Sequence, residues 1–125
     1  MADKKTILLI EDDSVILRIL NNRLSEEGYN IFVAEDGESG LKKFKENRPD
    51  LILLDLILPK MDGISILREI RKDATASDMP VLILTNLKSN ETVLESLRLG
   101  VSDYILKVDY SPEELVKKVK EILEP

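Results

Sequence analysis

The sequence predicts a three-layer α/β sandwich built on a doubly wound, five-stranded parallel sheet of strand order 2-1-3-4-5. Two observations carry that expectation: five short, continuous apolar runs, and five segments of helical period that alternate strictly with them. The runs are Thr6 to Ile10, Ile31 to Ala34, Leu51 to Leu54, Val81 to Leu84 and Tyr104 to Leu106. Continuous rather than alternating apolar character marks strands that are covered on both faces, as parallel strands are when helices pack on each side. Right-handed crossovers leave few ways to order five such strands, and this order puts a topological switch point between strands 1 and 3.

Each helical segment has its own start and stop signals. The first opens at Ser14 as its candidate N-cap, turns Ile16, Leu17, Leu20 and Leu24 inward, and stops at Gly28. The second runs from about Glu38 to Asn47, with Leu41 and Phe44 three apart and Pro49 beyond its end. The third follows Gly63, buries Ile66, Leu67 and Ile70, and gives way to the polar stretch Lys72 to Asp78. The fourth spans about Asn90 to Leu99 with Val93, Leu94 and Leu97 as its apolar positions and Gly100 at its C-terminus. The fifth begins at Ser111-Pro112-Glu113-Glu114, a capping-box pattern with Ser at N-cap and Pro at N1, and carries the stripe Leu115, Val119, Ile122 and Leu123.

With 125 residues, 43% of them hydrophobic, the chain suits one domain with one core, so residues 1–125 are expected to form a single unit. A net charge of −6 argues against direct nucleic-acid binding, which needs clustered Lys and Arg. Cysteine and histidine are both absent, which removes disulfides, thiolate metal sites and the Ser-His and Cys-His catalytic pairs. The N-terminus lacks the apolar region of a signal peptide, and no stretch approaches the roughly 20 apolar residues that span a bilayer. A cytoplasmic protein with no membrane insertion is expected.

In open α/β sheets ligands bind at the carboxyl ends of the strands. Glu11, Asp12 and Asp13 follow strand 1, Asp55 follows strand 3, Thr85 and Asn86 follow strand 4, and Lys107 follows strand 5. Strands 1 and 3 are neighbours in the expected order, so Glu11, Asp12 and Asp55 should converge. Carboxylates in one pocket repel unless a cation compensates them, and hard oxygen ligands of this kind suit Mg²⁺. Asp55 can then act as a nucleophile toward phosphorus, with Lys107 and Thr85 supplying a fixed charge and a hydroxyl donor for phosphoryl oxygens. Taken singly, Asp12 or Asp13 serves as readily to cap the first helix. Asp55 resists such a reading, because it stands between Leu51-Ile52-Leu53-Leu54 and Leu56-Ile57-Leu58, where an unneeded charge is costly.

With these residues in place the chain resembles the response-regulator receiver family over essentially its whole length. The resemblance rests on Ile10-Glu11-Asp12-Asp13, on Asp55 followed by Pro59-Lys60-Met61-Asp62-Gly63, on Leu84-Thr85, and on Tyr104 three residues before Lys107. It implies a flavodoxin-like (βα)5 fold and a role in phosphorelay signalling rather than as an enzyme. Asp55 would be the phosphoacceptor, Asp12 a direct Mg²⁺ ligand, Glu11 a ligand through water, and Ile57 the donor of a backbone carbonyl to the metal. Lys107 would hold the phosphoryl group, while Thr85 and Tyr104 would form the switch that alters the surface of the fourth helix, fifth strand and fifth helix. The implied partners are a histidine kinase or histidine phosphotransfer protein and a downstream effector or output domain. A phosphorylation-dependent homodimer is compatible with the resemblance.

The sequence departs from the family pattern at a few places. Val108 follows Lys107 where most members have proline, often after a cis bond; before a non-proline residue that bond costs about 2.5 to 4 kcal/mol. Lys107 is therefore expected either on a differently shaped loop or beside a strained cis peptide. Asn86 replaces the usual small residue after Thr85. Ile57 and Leu87 stand where polar side chains commonly position the hydrolytic water, which leads to an expectation of slow autodephosphorylation. The strongest alternative is a phosphorylation-independent pseudo-receiver that acts as a protein-interaction module. A haloacid-dehalogenase-like phosphatase needs an Asp where Ile57 stands, and a flavodoxin-like flavin carrier needs a phosphate-cradling loop where Glu11, Asp12 and Asp13 would repel the anion.

Overall fold

The computed structural model describes residues 4–125, in which strands and helices alternate as the apolar pattern requires. The strands are β1 (Thr6–Ile10), β2 (Asn30–Ala34), β3 (Leu51–Leu54), β4 (Val81–Thr85) and β5 (Asp103–Leu106). The helices are α1 (Ser14–Glu26), α2 (Gly37–Asn47), α3 (Gly63–Lys72), α4 (Asn90–Arg98) and α5 (Pro112–Leu123). All strand pairs are parallel and the order is β2-β1-β3-β4-β5.

Successive strand residues point to opposite faces, and the core divides accordingly. Leu8, Ile10, Ile52, Leu54, Val81 and Ile83 join Phe44 of α2 and Ile66, Leu67 and Ile70 of α3 in one buried cluster. Ile7, Leu9, Leu51, Leu53, Leu82 and Leu84 join Leu20 and Leu24 of α1 and Leu115, Val116 and Val119 of α5 in the other. Two cores back to back explain why β1, β3 and β4 read as unbroken apolar runs. No helix among the described residues is long and apolar enough to cross a membrane.

The helix termini mostly follow their sequence signals, with one displacement. Asp13, not Ser14, caps α1: its Oδ1 accepts from the amides of Val15 (2.9 Å) and Ile16 (3.2 Å), and Ser14 is the first helical residue. A carboxylate outcompetes a hydroxyl here because it also complements the partial positive charge of the helix N-terminus. At α5 the expected pattern holds, with Ser111 Oγ accepting from the Glu114 amide and Pro112 in the first turn.

The larger departure is α4. Leu94 and Leu97, two of its three apolar positions, are 52% and 54% exposed, and the buried residue of the helix is Ser96. Ser96 satisfies its hydroxyl on the Thr92 carbonyl, so it costs little to bury. Leu87 before the helix and Leu99 and Val101 after it pack on the core instead.

One glycine fixes how the β3–α3 connection meets α2. The Gly37 amide donates to the Pro59 carbonyl, and a Cβ on Gly37 would lie 1.8 Å from the Met61 carbonyl oxygen. Gly28 adopts φ +97° but has open space around it. Gly37→Ala is therefore expected to cost about 2 kcal/mol or more in urea unfolding, against about 1 kcal/mol for Gly28→Ala. Equal losses for the two variants would contradict this account of the connection.

Candidate functional site

Strand register brings the site together. Ile10 pairs with Leu54, Leu54 with Ile83, and Thr85 with Leu106, so the residues that follow β1, β3 and β5 emerge along one edge of the sheet. Those residues are Glu11, Asp55 and Lys107. The Lys107 ammonium donates to Glu11 Oε2 at 2.8 Å and to Asp55 Oδ2 at 2.7 Å. Both carboxylates are 4% exposed, and only a charged, hydrogen-bonded partner makes such burial tolerable.

The same burial shapes their acidity. It pushes the Glu11 carboxyl from 4.5 up to about 7, although hydrogen bonds from Lys107 and the Asp13 amide pull the other way. Burial also acts to lower Lys107, but its bonds to Asp55 and Glu11 outweigh that and hold the ammonium above its ordinary range. The site therefore keeps a fixed cation beside Asp55.

Backbone contacts set the Asp55 side chain. Its amide donates to the Ile10 carbonyl, and its Oδ1 accepts from the Ile57 amide at 3.1 Å. Gly63 lets α3 start directly against this turn, since a Cβ there would fall 2.5 Å from the Asp55 carbonyl oxygen. Lys60 adopts φ +68° in the same connection and reaches Asp36, the α2 cap, at 3.8 Å.

Asp55 opens into a pocket of about 360 Å³ lined by Asp12, Asp13, Ile57, Asn86 and Lys107 as well as Asp55 itself. Carboxylate oxygens of Glu11, Asp12 and Asp55 all lie within 4.8 Å of one another. Three hard oxygen donors at the mouth of an open pocket fit a divalent cation such as Mg²⁺, and this cluster could hold one. Asp13 lines the pocket while its Oδ1 is engaged as the α1 cap.

Thr85 is fully buried behind this pocket, with its Oγ accepting from the Leu87 amide at 3.3 Å. The half-buried Tyr104 donates its hydroxyl to the Leu87 carbonyl at 2.6 Å. Thr85 and Tyr104 thus meet on the backbone of one residue, a link the sequence did not indicate. Ile57, 53% exposed, and Asn86 both line the pocket. Leu87 and Val108 are not among the pocket-lining residues: the Leu87 side chain packs on the core, and Val108 is 67% exposed. Of the two geometries open for Lys107, the differently shaped loop is the one found. No cis peptide occurs among the described residues, and Lys107–Asp109 forms a 3₁₀ turn.

Comparison with known proteins bears on the family and the fold. The family profile for the response regulator receiver domain matches residues 7–120. The probable transcriptional regulator ycf27 of Porphyridium aerugineum is 42% identical over 120 residues, 96% of this chain and 48% of that protein. The chain spans about half the length of the curated relatives it matches. A CheY-like response regulator receiver domain protein from Methanospirillum hungatei JF-1 superposes with TM-score 0.90 at 33% identity, covering 98% of this chain and 95% of that one. The phosphorylated cyanobacterial phytochrome response regulator RcpA superposes with TM-score 0.81 at 32% identity, covering 98% and 93%.

The acidity of Glu11 has a measurable consequence. Its folded pKa of about 7 lies above the ordinary value of 4.5, so the folded chain holds a proton that the unfolded chain has lost. The stability it contributes is present below pH 4.5, declines as the pH rises to about 7, and levels off above that. Carbon-13 titration of the carboxyls in EDTA is expected to find Glu11 near 7; a midpoint near 4.5 would show that Lys107 cancels the burial.

Proposed function

The chain belongs to the response regulator receiver domain family, and on that premise we propose that it is a phosphorelay receiver that takes a phosphoryl group onto Asp55 with Mg²⁺ held by the acidic pocket. Receiver domains are signalling modules, so transient modification and its effect on a surface are the output. The observation that carries the reading is the ammonium of Lys107, 2.7 Å from Asp55 Oδ2, at the back of a pocket that also presents Asp12.

Asp55 and Asp12 would hold the cation directly, Glu11 through water, and the Ile57 backbone carbonyl would complete the protein's share. Bound there, the cation offsets the negative charge of the acids and of an incoming phosphoryl donor. The donor is a phosphohistidine of a kinase or phosphotransfer protein. An Asp55 carboxylate oxygen forms the new bond to phosphorus as the phosphorus–nitrogen bond breaks, and the departing imidazole takes a proton from solvent. Lys107 needs only a small shift to exchange its bond with Asp55 for one to a phosphoryl oxygen. The trans peptide after it leaves that contact intact, so Val108 is no argument for a phosphorylation-independent module.

Readout starts at Thr85. Its Oγ gives up the Leu87 amide to donate to a phosphoryl oxygen, a charge-assisted bond that exists only in the modified state. The Tyr104 hydroxyl and the Leu87 carbonyl then settle into a new arrangement, which alters the surface formed by α4, β5 and α5. That surface is the site for an effector, an output domain or a phosphorylation-dependent second copy. A net charge of −6 suits protein partners better than nucleic acid. Residues 1–125 act as one receiver unit, and the protein is cytoplasmic.

Hydrolysis of the phosphoryl group should be slow. Ile57 presents an apolar side chain at the pocket mouth, and Leu87 faces the core, so neither orients an attacking water.

With acetyl phosphate and Mg²⁺ the chain is expected to incorporate one phosphoryl group, and Asp55→Asn or EDTA to abolish it. Incorporation that persists in Asp55→Asn would overturn the assignment. A second test follows the lifetime of the label: it should outlast minutes, Ile57→Asn should shorten it several-fold, and loss within seconds in the unaltered protein would contradict the role given to Ile57.

A further inference from the structure

The attachment of α4 to the rest of the molecule is unlike that of the other helices. Its buried residue is a serine, and Leu94 and Leu97 face away from the sheet. Val93 of the helix is half-buried, but among the described residues the apolar side chains of this region that pack on the buried core lie in the flanking segments, Leu87 on one side and Leu99 and Val101 on the other. What remains is a polar fastening at each end.

At the N-terminal end the fastening is the pair of bonds to Leu87, from its amide to Thr85 Oγ and to its carbonyl from Tyr104. At the C-terminal end it is Arg71 of α3. Arg71 Nε donates to the Leu99 carbonyl at 2.6 Å and Nη2 to the Gly100 carbonyl at 3.2 Å. Its Nη1 meanwhile donates to the Ala76 and Met79 carbonyls at 3.2 and 2.8 Å. One guanidinium thus ties the end of α4 to the α3–β4 connection through four main-chain carbonyls.

The two fastenings differ in kind. Arg71 stands one residue past Ile70 on a helix whose Ile66, Leu67 and Ile70 are fully buried, so its base cannot move. Its planar fork meets both pairs of acceptors at once, and a cation at a helix C-terminus is favoured by the helix dipole. The Arg68–Glu95 pair nearby is half-exposed and adds little. The bonds to Leu87, in contrast, are neutral and one of them ends on the hydroxyl that phosphorylation would claim.

We propose that Arg71 is a positioning residue that pins the C-terminal end of α4, so that the helix turns about Leu99 and Gly100 when its N-terminal end is released. The release itself rests on the reading of Asp55 and Thr85 given above; the pin does not. α4 is a lever with a fixed fulcrum, and its motion is largest near Leu87 and smallest at Gly100.

Amide hydrogen exchange on the full chain tests both parts. The Leu99, Gly100 and Val101 amides bond to carbonyls of Glu95, Ser96 and Leu97, and so report the end of the helix. In the unliganded protein, Arg71→Ala should speed exchange at these three by about tenfold while Leu53 and Ile83 in the core strands stay unchanged. Arg71→Lys keeps the stem and charge but loses the fork, and decides the matter if Arg71→Ala loosens the whole fold. Exchange at Leu99 to Val101 that rises no more than in the core in Arg71→Lys would overturn the pin.

Beryllofluoride with Mg²⁺ supplies the second arm. In the unaltered protein the change should fall on residues 87–94 and spare Leu99 to Val101; in Arg71→Lys it should extend through the whole helix. Equal change at both ends of α4 in the unaltered protein would overturn the lever. No change anywhere, Thr85 included, would refute the Asp55 reading while the unliganded arm still judged the pin.

Discussion

One ammonium group, that of Lys107, makes the carboxyl edge of the sheet chemically tenable. It lies 2.8 Å from Glu11 and 2.7 Å from Asp55, two carboxylates almost wholly removed from water. Without it, neighbouring buried acids would repel each other and draw in protons or solvent. With it, Asp55 stays fixed in orientation, open to the pocket on one side and neutralised on the other. The bond is also exchangeable, because an anionic oxygen arriving on Asp55 offers Lys107 an equivalent partner.

The scaffold serves that contact by rigidity where the charges meet and by looseness further out. β1, β3 and β4 are buried on both faces between two separate apolar clusters, so the points from which Glu11 and Asp55 emerge cannot drift. Close backbone approaches at Gly37 and Gly63 lock the β3–α3 connection against α2 and against Asp55 itself. α4 is the contrast: it buries a serine, exposes two leucines and depends on polar ties at its ends. Both properties suit the function proposed above, since a stiff core confines a response to the element that can move.

Much of this was legible in the residues. Apolar runs alternating with helical segments point to the parallel sheet, right-handed crossovers narrow its order, and the charge interrupting Leu54 and Leu56 singles out Asp55 because burial there has no structural use. Helix caps were less legible. Ser14 and Asp13 are both good caps, and only the geometry of the turn after β1 selects Asp13. The orientation of α4 is not legible, because Val93, Leu94 and Leu97 have the spacing of an inward stripe, whereas the tolerance of Ser96 for burial depends on its bond to Thr92. Arg71 left a faint signal: it falls four residues after Leu67, on the buried face of α3, a position where a charge calls for explanation. The path of the chain after Lys107, and the meeting of Thr85 and Tyr104 on Leu87, depend on long-range packing that no local pattern encodes.

The claim on which the rest depends is that Asp55, among three neighbouring acids, is the one that takes the phosphoryl group. Borohydride reduces an acyl phosphate to an alcohol, so treating the phosphorylated protein with it and sequencing its peptides by mass spectrometry locates the acceptor. The account predicts a single reduced side chain, at position 55. Reduction at Asp12 or Asp13, or at no carboxylate in a protein that has been exposed to acetyl phosphate and Mg²⁺, would contradict it.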